Sequence, residues 1–362
     1  MKSPSSATPR EGPLLEVEDF YVRFDTDRGR VHAVNGVSLS LDQGETLGIV
    51  GESGSGKTVL SRAVMGLVGD GGRNHVTGTV RFDGREISSL SPRDLRKYWG
   101  TEMAMVFQDP MTSLNPVKRV GAQFTEALRY HLDLSRREAT ERAVDLLRSV
   151  GIPEPQRAVG RYPHEFSGGM RQRVTIGIAL ACNPRLLFGD EPTTALDVTV
   201  QAQILDLLKV QQVERDMALI LVTHDLAVVR GRSDRIAVMY AGKVVETAPT
   251  ATLFAHTRMP YTEALINALP RLTGPTHVRL RAIPGRPPDM MNPPDGCPFS
   301  PRCPYAQERC LVEVPPLMPS EDPEHQFACW YPVGTPEWTE ARDRNTHRGE
   351  TAAGTQIVKE MV

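Results

Sequence analysis

The chain has 362 residues, 40% of them hydrophobic and 24% charged, with a formal net charge of −2 at pH 7. This is ordinary globular composition, long enough for two domains or for one large domain with an appendage. It excludes wholesale disorder, collagen and a disulfide-dense miniature, and the near-neutral charge gives no reason to expect a nucleic-acid partner.

Residues 1–13 are polar and lack the apolar centre of a secretory signal, so they read as a flexible leader. From residue 14 to about 247, strand-like and helix-like segments alternate, which predicts α/β layers. Strands are expected at 14–24, 45–50, 103–107, 185–189, 218–222 and 235–240. The continuous run Leu219, Ile220, Leu221, Val222 suits a central strand covered on both faces. Segments 120–131 and 135–150 carry helical spacing, and Gly151 with Pro153 stops the second. Residues 284–294 hold five prolines and predict an extended or turn-rich segment, not a helix. The tail from 334 is polar without a clear apolar period and reads as disordered. No apolar run approaches the ~18–20 residues needed to span a bilayer, so a cytoplasmic protein is expected, serving a membrane only by docking to other subunits.

Gly51, Glu52, Ser53, Gly54, Ser55, Gly56, Lys57 and Thr58 fit G-x-x-x-x-G-K-S/T, between an apolar strand and a helix-like stretch. Such glycines let backbone N–H groups curl around phosphate oxygens, and the helix N-terminus adds partial positive charge. Lys57 would reach the β- and γ-phosphates and Thr58 would bind Mg2+. The apolar strand Leu186, Leu187, Phe188 runs through Gly189 into Asp190 and Glu191. Asp190 would hold Mg2+, and Glu191 would polarise the attacking water. Together these elements predict an Mg2+-dependent nucleotidase.

The run Phe166, Ser167, Gly168, Gly169, Met170, Arg171, Gln172, Arg173 resembles the signature loop of ATP-binding-cassette (ABC) proteins. In that family it faces the ATP held by a partner subunit, so two nucleotides are sandwiched head to tail. Gln108 resembles the Q-loop glutamine that senses Mg2+ and γ-phosphate. Asp197, after Ala195 and Leu196, resembles the D-loop, and His224 the switch histidine. Phe24 is the expected aromatic on adenine, with Tyr21 as competitor and a core-facing strand aromatic as the bland alternative. The signature has Phe166 and Met170 where Leu and Gln are commoner, and Gly189 stands where Ala is usual. No catalytic group is missing.

The stretches 106–116, 190–198 and 283–310 look like oligopeptide/dipeptide importer ATPases. The resemblance implies an α/β P-loop ABC nucleotide-binding domain over 14–270, with a RecA-like core, a β-subdomain and a helical insert at about 110–170. A Cys-rich C-terminal extension at 271–333 and a tail at 334–362 follow. The implied partners are a second ABC ATPase in a heterodimer, two membrane permeases and an extracytoplasmic substrate-binding protein, with this chain on the cytoplasmic face of the membrane. Nickel, glutathione and sugar importers share the ATPase type. A soluble ABC protein of translation or repair usually carries two cassettes or a long coiled coil, and neither is seen here.

Cys297, Cys303, Cys310 and Cys329 follow C-x5-C-x6-C-x18-C, away from the lone Cys182. In a reducing compartment such a group suits a metal or cluster site better than disulfides. Zinc sites usually show C-x2–4-C pairs, which are absent. The wider spacing favours a larger 4Fe–4S core, and the resemblance implies it beside ATP and Mg2+, with structural Zn2+ or unligated or disulfide-bonded cysteines as alternatives.

Overall fold

A computed structural model describes residues 12–69, 71–109, 113–194, 196–269 and 283–357. Most of the leader, Ala195 of the D-loop and part of the stretch at 106–116 lie outside them. Among the described residues, twelve strands form two sheets. The smaller runs β2-β1-β4-β5, built from β1 Leu15–Thr26, β2 Gly29–Leu41, β4 Asn74–Phe82 and β5 Arg85–Glu86. The larger runs β11-β12-β10-β9-β3-β8-β7-β6. Its parallel centre is β9 Arg235–Tyr240, β3 Thr46–Val50, β8 Ala218–Thr223, β7 Leu186–Asp190 and β6 Met103–Val106. β10 Lys243–Pro249, β11 Met318–Pro319 and β12 Gln326–Phe327 extend one edge antiparallel.

The central strands follow the expected pattern because β3, β7 and β8 are buried at every position. A parallel strand covered on both faces needs apolar residues without alternation. β2 and β4 were not expected, and glycine is the reason. An Asn-Gly pair, such as Asn35 and Gly36, has the composition of a tight turn. Instead Gly36, at φ 73°, forms a bulge: Phe20 pairs with Val37 and Tyr21 with Asn35. Gly78, at φ 106°, makes the matching irregularity in β4, where an added Cβ would strike the carbonyl of Asp19.

One core lies between the small sheet, the large sheet and the helix Lys57–Val64. A second is formed by the helices Val120–Leu132, Arg136–Ser149 and Gly168–Ala179 against β6 and β7. Ser135 and Glu138 close the middle helix with a capping box.

The third core joins β8, β9 and β10 to residues 283–357. β12 is anchored by pairing Phe327 with Glu246, whose carboxylate also meets Nε2 of buried His325 at 2.8 Å. The disorder expected after residue 334 does not hold over Pro336–Arg348, which is a helix N-capped by Thr335. Its attachment is largely polar, which hides it from an apolar-period reading. Buried Asn345 donates from Nδ2 to the carbonyls of Pro304 and Ala306, and accepts from Gln307 Nε2 at 2.7 Å. Among the described residues no helix is long and apolar enough to cross a membrane.

Candidate active site

The loop 51–58 joins the C-terminal end of β3 to the helix Lys57–Val64. That helix starts without a side-chain cap, since Gly56 stands at its N-cap with φ 101°. Its first N–H groups are thus open to an anion. A Cβ at Gly56 would strike the carbonyl of Ala33, and one at Gly51 the carbonyl of Met239. Only glycine lets this loop lie so close to its neighbours. Lys57 is buried, and its Nζ donates to the carbonyls of Gly51 (2.7 Å) and Glu52 (2.9 Å). Burial lowers its pKa, against the opposing pull of Glu191, Asp190 and Glu52.

Asp190 ends β7 fully buried. Its Oδ1 accepts from Thr58 Oγ1 at 2.7 Å, whereas Oδ2 has no hydrogen-bond partner. The nearest cation to Oδ2 is Arg62, at 3.8 Å. Burial raises the Asp190 pKa despite the Thr58 bond. An orphaned carboxylate oxygen beside a hydroxyl is a donor set that fits a hard divalent cation.

Glu191 follows with φ 47°, a left-handed backbone uncommon for a residue with a side chain. The turn is held by its own N–H, which donates to Val222 at 2.9 Å. Three side chains reach its carboxylate: Gln108 Nε2 and Thr194 Oγ1 each lie 2.9 Å from Oε2, and His224 Nδ1 lies 3.0 Å from Oε1. Burial alone would raise its pKa, but the bonds to His224 and Thr194 and the charges of His224 and Lys57 outweigh it. The carboxyl therefore titrates below its usual range.

The structure thus gathers Lys57, Thr58, Gln108, Asp190, Glu191 and His224, with Arg62 and Thr194 added. Arg62 carried no motif signal, and Thr194 lay inside the stretch 190–198 without a role assigned to it. Ser53, Gly54 and Ser55 complete the loop. Phe24, near the end of β1, is half-buried against the first core, the bland placement for a strand aromatic.

The signature residues form a neighbouring unit. Ser167 caps the helix Gly168–Ala179 by accepting from Met170 N at 3.3 Å. Asp197 caps the helix Val198–Glu214 by accepting from Val200 N at 3.0 Å. The two helix starts touch: a Cβ on Gly169 would lie 2.6 Å from Val200.

Cys297, Cys303, Cys310 and Cys329 line one narrow cavity with Phe299 and Tyr305, and all four are free thiols. Burial pushes the Cys297 thiol up to about 11 and raises the other three as well. Among the described residues no group of three or more His, Cys, Asp or Glu side chains is arranged to hold a metal ion. The expected 4Fe–4S cluster thus finds its four thiols on one cavity but no ready-made metal site.

Residues 34–194 match the family model described as ABC transporter, and residues 245–310 the oligopeptide/dipeptide transporter C-terminal region. The oligopeptide transport ATP-binding protein OppD of Bacillus subtilis is 49% identical over 88% of this chain and 88% of its own length. OppD of Escherichia coli is 50% identical over 88% and 94%. The dipeptide transport ATP-binding protein DppD of Escherichia coli is 48% identical over 88% and 97%. Among solved structures, a dimeric ATP-binding cassette in a post-hydrolysis state with ADP and Pi superposes with a TM-score of 0.59. It is 28% identical, over 65% of this chain and 98% of that one.

Proposed function

This chain belongs to the ABC transporter ATP-binding family, in its oligopeptide and dipeptide branch, and on that premise we propose that Gln108, Asp190, Glu191 and His224 form its hydrolysis site. The chain is the ATP-hydrolysing subunit that powers import of peptides through a multisubunit transporter. The observation that carries the residue assignment is the convergence of Gln108, Thr194 and His224 on the one carboxylate of Glu191.

Loop 51–58 binds the triphosphate. The Lys57 ammonium exchanges its two carbonyl acceptors for phosphate oxygens, a charge-assisted and stronger bond. Thr58 and the free Oδ2 of Asp190 would hold Mg2+, with Gln108 able to reach the same region. When bound, the ion neutralises phosphate charge. Glu191 orients the attacking water and accepts its proton. His224 and Gln108 fix the carboxylate until substrate arrives, and Phe24 would stack on adenine.

Ser167, Gly168, Gly169 and Asp197 would face the nucleotide of a second ATPase subunit. Substrate binding would favour the closed dimer, and hydrolysis would release it. Two permeases and an extracytoplasmic binding protein complete the assembly, with this chain peripheral on the cytoplasmic face of the membrane.

For Cys297, Cys303, Cys310 and Cys329 we propose a structural 4Fe–4S cluster. Four thiols lining one narrow cavity support it. Iron, sulfide and zinc measured on protein purified without oxygen test it, and stoichiometric zinc or no metal overturns it.

Glu191→Gln tests the main assignment. It should keep ATP binding, trap the closed dimer and lower ATPase of the assembled complex about 10²–10⁴-fold. Near wild-type turnover would refute the role of Glu191.

A further inference from the structure

Arg302 immediately precedes Cys303 and lies 250 positions from the phosphate loop. Yet its guanidinium grips Glu52, the second residue of that loop, with both arms: Nη1 to Oε2 at 2.6 Å and Nη2 to Oε1 at 3.0 Å. The Arg302 side chain is 3% exposed, that of Glu52 27%. Every other bond of Arg302 holds it in place. Nε donates to the Pro284 carbonyl at 2.8 Å, Nη2 to Ile283 at 3.3 Å, and Nη1 to the Tyr240 hydroxyl at 3.2 Å. The Glu52 N–H donates to the Tyr261 hydroxyl at 2.8 Å. Tyr240, Tyr261 and Phe299 pack ring on ring beneath this seat, with centroids 4.5–5.4 Å apart. Both the backbone and the side chain of Glu52 are therefore fixed from outside the loop.

A carboxylate inside a phosphate cradle is an electrostatic liability. Lys57 Nζ donates to the Glu52 carbonyl, so the Glu52 charge sits within one residue of the group that meets phosphate. A buried guanidinium in bidentate contact cancels that charge.

We infer that Arg302 is a positioning residue for the phosphate loop: it neutralises Glu52 and ties the loop's affinity for nucleotide to the segment that carries the four cysteines. The inference rests on the reading of 51–58 as the nucleotide loop, and it is independent of what the cysteines hold.

The test is calorimetric titration of the full-length chain with a non-hydrolysable ATP analogue and, separately, with Mg·ADP. Arg302→Gln should weaken the triphosphate roughly tenfold and the diphosphate roughly threefold, because the larger ligand charge is repelled more by the exposed carboxylate. Glu52→Gln in the same chain should restore both to within about twofold of wild type. Arg302→Lys keeps the charge but not the fork, and should fall between wild type and Arg302→Gln. Equal weakening of both ligands, with no rescue by Glu52→Gln, would overturn the inference, as would unchanged binding in Arg302→Gln. If Arg302→Gln does not fold, Glu52→Gln alone decides: tighter triphosphate binding supports the inference, and unchanged binding refutes it. Failure of the wild-type chain to bind either nucleotide would overturn the nucleotide reading and this inference with it.

Discussion

The nucleotide pocket and the cysteine cavity both gather residues from distant parts of the chain, but by opposite means. The pocket is assembled at the ends of parallel strands. β3 delivers the phosphate loop, β7 delivers Asp190 and Glu191, and His224 follows directly on β8. Ligand sites of open α/β sheets lie at such strand ends because every crossover starts there. The cysteine cavity has no such scaffold. Cys297 and Cys329 lie in loops, Cys303 directly follows a short 3-10 turn, Ser300–Arg302, and Cys310 lies in a short helix, Glu308–Val312. Regular elements therefore fix the geometry of the first site, whereas side-chain packing and polar contacts fix the second.

Substitutions can sharpen this contrast. The largest effect after Glu191→Gln is expected from Lys57→Ala, which removes the phosphate counter-ion. ATP affinity should fall by about two orders of magnitude, read by calorimetry, with little loss of thermal stability because the replacement relieves a buried charge. Gly56→Ala should destabilise the fold, by about 2–4 kcal/mol in denaturant unfolding, and weaken nucleotide binding about tenfold. Its Cβ meets the Ala33 backbone in a left-handed conformation.

Cys303→Ser puts a hydroxyl into a buried position of the cavity. It should cost about 1–3 kcal/mol and speed hydrogen exchange across 297–329, while ATP binding survives. If it instead loosens the phosphate loop as much as Arg302→Gln does, the two sites are one rigid unit and the contrast fails.

The smallest effect concerns Gly189→Ala. The new Cβ would lie 3.4 Å from Leu221 and Pro192, which is ordinary contact. Loss of glycine entropy in a strand should stabilise by up to about 0.5–1 kcal/mol, measured by thermal unfolding, with ATPase unchanged.

The pH response follows from Glu191. Its folded pKa is lowered, so its ion-pair stabilisation is fully present above the unfolded value near ~4 and is lost only as pH falls through the folded value. The stability difference between wild type and Glu191→Gln should shrink as pH falls below about 4.

The same contrast explains what could be read from the sequence. The strand at 235–240 was expected with its observed bounds, and β3, β7 and β8 within a residue, because continuous apolar runs leave one solution. Gly51 to Thr58, Asp190 and Glu191 were legible because their chemistry is local: loop, strand end and helix start adjoin in sequence. Gln108 and His224 needed family resemblance to be found. Arg62 is an ordinary surface-type residue until the fold brings it to Asp190, and Thr194, although inside the stretch 190–198, gives no local sign that it bonds Glu191. The Glu52–Arg302 pair spans 250 positions and has no periodic or motif signature. β2 and β4 were hidden by bulge glycines that imitate turns, and the helix Pro336–Arg348 by polar rather than apolar anchoring.

The measurement that bears most directly on the account is peptide uptake by the complete transporter reconstituted in proteoliposomes, with ATPase followed in the same sample. Uptake should require Mg·ATP, and Glu191→Gln in this chain should suppress hydrolysis and uptake together while ATP stays bound. Peptide uptake at near wild-type rate with Glu191→Gln would contradict the claim that this carboxylate drives transport.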